Sequence, residues 1–92
     1  FYGRVVGDSM TEAGIDEGDI IVIDKSIDAH DGDLVVCYVD GEFAIKFLKT
    51  TNGRIRLIAG NKAYAPIDIA PGDDFRVWGV VTYTIKKRNK RV

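Results

Sequence analysis

Cysteine is almost absent from this sequence. The single thiol, Cys37, cannot close an internal bridge, which argues against a disulfide-stapled secreted module. No apolar run approaches the ~20 residues that span a bilayer, and no leader of the secretory kind is expected before the domain. Neither sign of charge dominates. The formal net charge is −1, so the domain as a whole lacks the basic field that holds nucleic acid. Proline is scarce, two residues against ten glycines, a balance that suits short strands joined by tight turns. No long stretch shows the helical period, and there is no repeat or low-complexity segment. CxxC, HExxH and glycine-rich phosphate loops are all missing, so neither a metal nor a nucleotide cofactor is expected. Asp28, Asp31 and Asp33 do not follow the alternating EF-hand pattern and read as turn formers. A soluble protein of a reducing compartment is the simplest expectation. The sequence opens on Phe1-Tyr2 without an initiator methionine, which suggests a fragment or a processed form.

What is present is a β pattern in one domain, residues 1–92. A short strand is expected within Phe1 to Val6, and Gly7 breaks it. One helical turn fits Ser9 to Ala13, followed by turn material from Gly14 to Asp19. Ile20-Ile21-Val22-Ile23 is a β-branched run of the kind buried on both faces of a sheet. A polar loop follows, closed by Asp31-Gly32-Asp33. Leu34–Val39 and Glu42–Leu48 flank Asp40-Gly41, a strong hairpin signal because both central positions favour positive φ. Asn52-Gly53 marks a second turn, leading into the alternating strand Arg54–Ile58. Gly60 to Ala65 reads as an irregular loop and Pro66 to Gly72 as a connector. Phe75 to Ile85 is the longest strand, with Gly79 marking a bulge or a close backbone approach. The tail from Lys86 to Arg91 is basic and reads as a solvated chain end or a weak contact to DNA or an acidic partner. The fold class is mainly β, a small partly closed barrel or a pair of packed sheets.

Few residues in this pattern suggest chemistry. Ser9 has two readings. Ser9-Met10-Thr11-Glu12 fits a capping box, in which the serine caps a helix start and the glutamate reaches back. The same serine, on a turn after flexible Gly7, also suits an exposed nucleophile with backbone N–H groups nearby to hold an oxyanion. Lys46 lies in a strand whose two faces, Phe43, Ile45 and Phe47 on one and Ala44 and Leu48 on the other, are both apolar. An unpaired buried charge is costly, and a lysine so placed is pressed toward the neutral amine that takes a proton from a serine. The alternative is an edge-strand lysine that discourages aggregation, its stem lying on apolar surface. Cys37, mid-strand, reads as a small buried hydrophobe, and His30 as a solvated loop residue. A Cys37–His30 nucleophile rests only on the presence of both.

Gly7-Asp8-Ser9-Met10, then Gly14-Ile15-x-x-Gly18-Asp19, resembles the self-cleaving peptidase domain shared by LexA and UmuD. So do Gly32-Asp33-Leu34-Val35-Val36, the run from Asp40 to Lys46, Asn61-Lys62-Ala63-Tyr64-Ala65-Pro66-Ile67 and Gly79-Val80-Val81. Ser9 and Lys46 are 37 positions apart (46 − 9), as the family's serine and lysine are. The resemblance implies a Ser–Lys dyad, with Ser9 as nucleophile, Lys46 as general base, and the backbone N–H groups of Ser9 and Met10 as the oxyanion site. It further implies a bacterial cytoplasmic homodimer, associated partly through its last strand. Such a domain cuts its own N-terminal segment on contact with a RecA–single-stranded-DNA filament. The wording Val39-Asp40-Gly41-Glu42-Phe43 is closer to the UmuD branch, which implies service afterwards as accessory subunit of a UmuC-like error-prone polymerase. The other implied context is the C-terminal half of a LexA-like or phage-type repressor. On either reading no arm and no scissile bond are expected within these residues. Signal peptidases also pair serine with lysine, but they need a membrane anchor, and none is visible.

Overall fold

The computed structural model describes residues 1–88. One antiparallel sheet of seven strands, curved into a half-barrel, organises the chain. In chain order these are β1 (Tyr2–Arg4), β2 (Ile20–Asp24), β3 (Leu34–Val39), β4 (Glu42–Thr51), β5 (Arg54–Ile58), β6 (Ile67–Ile69) and β7 (Phe75–Ile85). Their order across the sheet is β1-β2-β7-β3-β4-β5-β6, so the last strand inserts between the second and the third. A 3₁₀ turn, Thr11–Ala13, separates β1 from β2. Among the described residues no helix is long and apolar enough to cross a membrane.

Turn chemistry sets the hairpins. Asp40 (φ 48°) and Gly41 (φ 89°) both take the left-handed conformation that a tight two-residue turn requires, and Asn52 and Gly53 repeat the device between β4 and β5. β7 is bent by register shifts against both of its neighbours. Between them sits Gly79, where an added Cβ would lie 2.5 Å from Ile23 Cγ2 and 3.3 Å from the Asp24 carbonyl oxygen. The sequence expectation of a bulge or a close approach is met on both counts.

Alternation places a core on each face of the sheet. Val5, Met10, Ile15, Ile21, Ile23 and Val36 form one, joined by Ile45, Phe47 and Trp78. Val35, Cys37, Leu48, Leu57 and Val80 form the other. Three expectations need correction. In β2 only Ile21 and Ile23 are buried, while Ile20 and Val22 are half-exposed, because one face of the strand packs on the core of Val5, Met10, Ile15 and Val36 and the other packs on neither core cluster. The supposed connector after Pro66 holds a short strand, with Ile67 and Ile69 paired to Leu57 and Ile55. Phe43, assigned to an apolar face of β4, is 63% exposed near the hairpin tip, beyond the reach of the core.

Lys86 also departs from the reading of a solvated tail. Its ammonium donates to Asp19, to Asp16 (2.9 Å) and to the Gly14 carbonyl (3.0 Å). This ties the end of β7 to the turn before β2. The Lys86 hydrogen bond holds the Asp19 carboxyl below its ordinary range, against the opposing effect of burial. The bond to Asp19, and then that to Asp16, raises the Lys86 ammonium in turn. The rest of the basic tail, from Asn89 onward, lies outside the described residues.

Candidate active site

The turn that carries Ser9 is built by its neighbours. Gly7 takes φ +83° and turns the chain out of the first strand. Met10 then drives its side chain into the core, at 2% exposure. The Met10 sulfur accepts the Gly60 N–H at 3.1 Å, and its carbonyl accepts from Ala13 and Ile15, both at 3.1 Å. Fixing Met10 inward leaves Ser9 at the rim, half-buried.

The capping box expected at Ser9 does not form. The 3₁₀ turn begins after Met10 and has no side-chain cap. Glu12, the other half of the box, instead accepts the N–H of Lys62 at 3.0 Å. Among the described residues the Ser9 hydroxyl has no hydrogen-bond partner, so the capping role does not occupy it.

A second segment, residues 60–64, clamps this turn. Asn61 Nδ2 donates to the Asp8 carbonyl at 2.9 Å, beside Thr11 N at 3.3 Å and Thr11 Oγ1 at 3.1 Å. The Glu12 N–H donates to the Gly60 carbonyl at 2.7 Å. The consequence is directional. In a trans peptide the C=O and the following N–H point opposite ways. Anchoring the Asp8 carbonyl toward Asn61 therefore aims the Ser9 N–H away from the clamp. Among the described residues, the N–H groups of Ser9 and Met10 donate to no backbone or side-chain acceptor.

Lys46 is buried at 8% exposure on β4, opposite Val35 and on the same face as Ala44 and Leu48. Among the described residues it meets no carboxylate. Its ammonium stands 5.7 Å from the centroid of the Tyr64 ring. The Tyr64 hydroxyl in turn donates to Asp8 Oδ1, and that bond holds the phenol above its ordinary range. A chain of contacts thus runs from Lys46 through Tyr64 to the residue next to Ser9.

Beside Ser9 lies a mainly apolar groove of about 370 Å³, with Val6 and Gly7 on one bank and Ala44 and Ile45 on the other. Among the described residues its β4 bank has a free backbone edge. β3 covers residues 42–47 of β4 on one side, whereas on the other side β5 covers only 47–51. An extended peptide laid along that edge can hydrogen-bond to it as an added strand.

The Cys37–His30 pairing is not assembled. Cys37 is fully buried and His30 is exposed in a loop. Burial pushes the Cys37 thiol up to about 11, against the pull of the Lys46 charge, which suits a core residue and not a nucleophile. Asp33 acts as a turn former, accepting the His30 N–H, whereas the Asp31 side chain reaches across to β4 and accepts the Thr50 N–H. Among the described residues no group of ligating side chains could hold a metal. The sequence reading assigned no role to Asn61 or Tyr64. Asn61-x-x-Tyr64 contains no local chemistry that points to Asp8.

The family described as Peptidase S24-like matches residues 1–82. LexA repressor 2 of Pseudomonas putida is 48% identical over 77 residues, covering 84% of this chain and 38% of that protein. LexA repressor of Stenotrophomonas maltophilia is 43% identical over 77 residues, covering 84% and 36%. LexA repressor 1 of Xanthomonas campestris is 44% identical over 84 residues, covering 91% and 42%. The chain therefore spans roughly two fifths of the length of these curated relatives.

Proposed function

The chain belongs to the S24-like peptidase family, and from that premise we propose that it is the self-cleaving serine peptidase domain of a LexA-like transcriptional repressor. Ser9 is the nucleophile and Lys46 the general base. The observation that carries this reading is a buried lysine that, among the described residues, has no carboxylate partner and is linked through the Tyr64 ring to the turn of a serine whose hydroxyl caps none of them.

In the proposed reaction Ser9 Oγ attacks a peptide carbonyl in the apolar groove while its proton passes to neutral Lys46 Nζ. The carbonyl oxygen takes up negative charge, and the Ser9 and Met10 N–H groups stabilise it. Collapse breaks the C–N bond, and Lys46 returns the proton to the leaving amine. Water then hydrolyses the acyl-serine, with Lys46 again as base.

The names of the matched relatives favour a repressor over the UmuD branch. A UmuD-like accessory subunit, which the Val39–Phe43 wording suggests, would use the same site. Stimulation by a RecA–DNA filament and dimerisation belong to either context. An exposed face supports the dimer: Tyr2, Val22 and Tyr83 stand in register across β1, β2 and β7, beside Ile20 and Ile85, on the side away from Ile21 and Ile23. Tyr2 is 77% exposed and Tyr83 71% exposed, which makes this apolar face available to a second copy.

The test is the protein expressed from its own full gene, purified at neutral pH and then shifted to alkaline pH. Self-cleavage should rise as the pH rises, because the amine accepts a proton only when it is itself deprotonated. Ser9→Ala and Lys46→Ala should each abolish the cut. Cleavage persisting at the parent rate in both variants would overturn the dyad.

A further inference from the structure

A second concavity, of about 400 Å³, lies on the same face of the sheet, toward the β3–β4 hairpin. Its walls hold two cations, each parked on an aromatic ring. Lys25 Nζ stands 4.5 Å from the centroid of the Trp78 ring, and Arg76 Cζ 5.2 Å from that of Tyr38. Phe43 stands edge-on to Tyr38 and Trp78, with centroids 5.2 and 6.1 Å apart, so the rings form a connected shelf. The lining contains no acid, and among the described residues neither cation meets a carboxylate. A cation stacked on a ring keeps its charge and its outward N–H donors, held in a fixed place. An acidic side chain complements such a shelf.

Its position relative to Ser9 indicates which acidic group. Phe43 lines both this shelf and the groove beside Ser9. It lies three residues from Lys46 along β4, about 10 Å at the rise of an extended strand. A peptide lying in the groove over the face of the sheet, where Val36 and Ile23 adjoin Trp78 and Lys25, covers a similar distance in about three residues. We propose that the Lys25–Trp78–Arg76–Tyr38 shelf is a specificity subsite for a carboxylate side chain about three residues from the bond that is cut. This assignment rests on the peptidase reading above.

Trp78 is the single tryptophan of the sequence, so its emission reports occupancy of the shelf itself. Ser9→Ala protein would be titrated with decapeptides that have two small residues at the centre and Glu, Gln or Lys placed three positions before or after them. The Glu peptide on one side should perturb Trp78 and bind at least about five-fold tighter than its Gln twin, with Lys weakest. Added salt should erode the preference. Lys25→Gln and Arg76→Gln, both exposed and remote from the core contacts, should each reduce it. Equal binding of Glu and Gln peptides on both sides overturns the subsite. A Trp78 response to a single-stranded oligonucleotide in place of the Glu peptide also overturns it. Cutting is measured separately, in protein that keeps Ser9. Cutting without Glu preference removes the subsite alone, whereas cutting that survives Ser9→Ala removes the peptidase reading.

Discussion

Gly60→Ala is the most informative single change, because Gly60 lies directly under the Ser9 turn. A Cβ there would sit 2.7 Å from Ala13 Cβ, 3.1 Å from Met10 Cε and 3.2 Å from Met10 Cα. Carbon atoms prefer a separation of about 3.5–4.0 Å, so the Ala13 contact falls short by roughly 1 Å. Met10 cannot swing away, since it is 2% exposed and its sulfur is held by the Gly60 N–H. Overpacking of this kind costs about 1–3 kcal/mol. Gly60 is not among the positive-φ glycines, so alanine also gains roughly 0.4–1 kcal/mol by restricting the unfolded chain. The net expectation is a loss of about 1–2 kcal/mol. With a urea slope near the low end for small domains, about 1 kcal/mol/M, the unfolding midpoint should fall by about 1–2 M. Trp78 emission follows the transition. The strain is relieved by lifting the 3₁₀ turn, so self-cleavage should drop by more than the stability loss explains. A displacement of ~1 Å at a reacting group can cost on the order of a hundred-fold. Ala13→Gly removes the worst contact, so the double variant should show favourable coupling of about 1 kcal/mol. An unmoved midpoint in Gly60→Ala, with no coupling to Ala13→Gly, would refute the argument that this packing sets the turn.

Tyr64 separates two contacts. Tyr64→Phe keeps the ring over Lys46 and loses the bond to Asp8, and should slow self-cleavage about five-fold, the worth of ~1 kcal/mol. Tyr64→Leu should slow it further and move the pH–rate profile, measured from initial rates on gels. Parent-like rates in both variants would remove Tyr64 from the site. The Asp19–Lys86 pair makes stability depend on pH at both extremes. Asp19 titrates below its ordinary 3.8 in the folded state, so its contribution is present above 3.8 and lost as pH falls through the lowered value. Lys86 titrates above its ordinary 10.5, so its contribution is present below 10.5 and lost as pH rises through the raised value. Thermal melts from pH 2 to 12 should show both limbs, and Lys86→Met should flatten them.

The elements that could be read from sequence are those whose cause is local. Asp40-Gly41 and Asn52-Gly53 announce their turns because few other pairs tolerate positive φ at both positions. The β7 strand was legible to its ends because its apolar run is long. Failures occurred where distant groups decide. Glu12 has a local partner in the capping box, yet the Lys62 N–H, 50 residues away, takes its carboxylate. Lys86 belongs to a basic run and reads as solvated, but buried Asp19 lies across the sheet from it. Ile67–Ile69 is too short and too close to Pro66 to read as a strand, and exists because β5 offers it an edge.

The same distinction explains what was legible of the site. Lys46 was visible as a charge in an apolar strand, because burial of a strand residue follows from its neighbours. The groove was not visible, because it depends on a change of partner along β4. β4 is one continuous strand in the sequence pattern, but β3 accompanies it only to Phe47 and β5 joins only from Phe47 onward. Among the described residues, that exchange leaves the backbone edge of residues 42–46 unpaired on the β5 side. In a sheet built for stability alone such an edge invites aggregation and is usually covered or shortened. Here the Ser9 turn, held down by Met10 and clamped through Asn61, stands beside it and leaves a groove between the two. The unpaired stretch is thus where backbone hydrogen bonds, an apolar wall and a serine hydroxyl converge, and continuing β5 along β4 past Phe47 would close the site while improving the sheet.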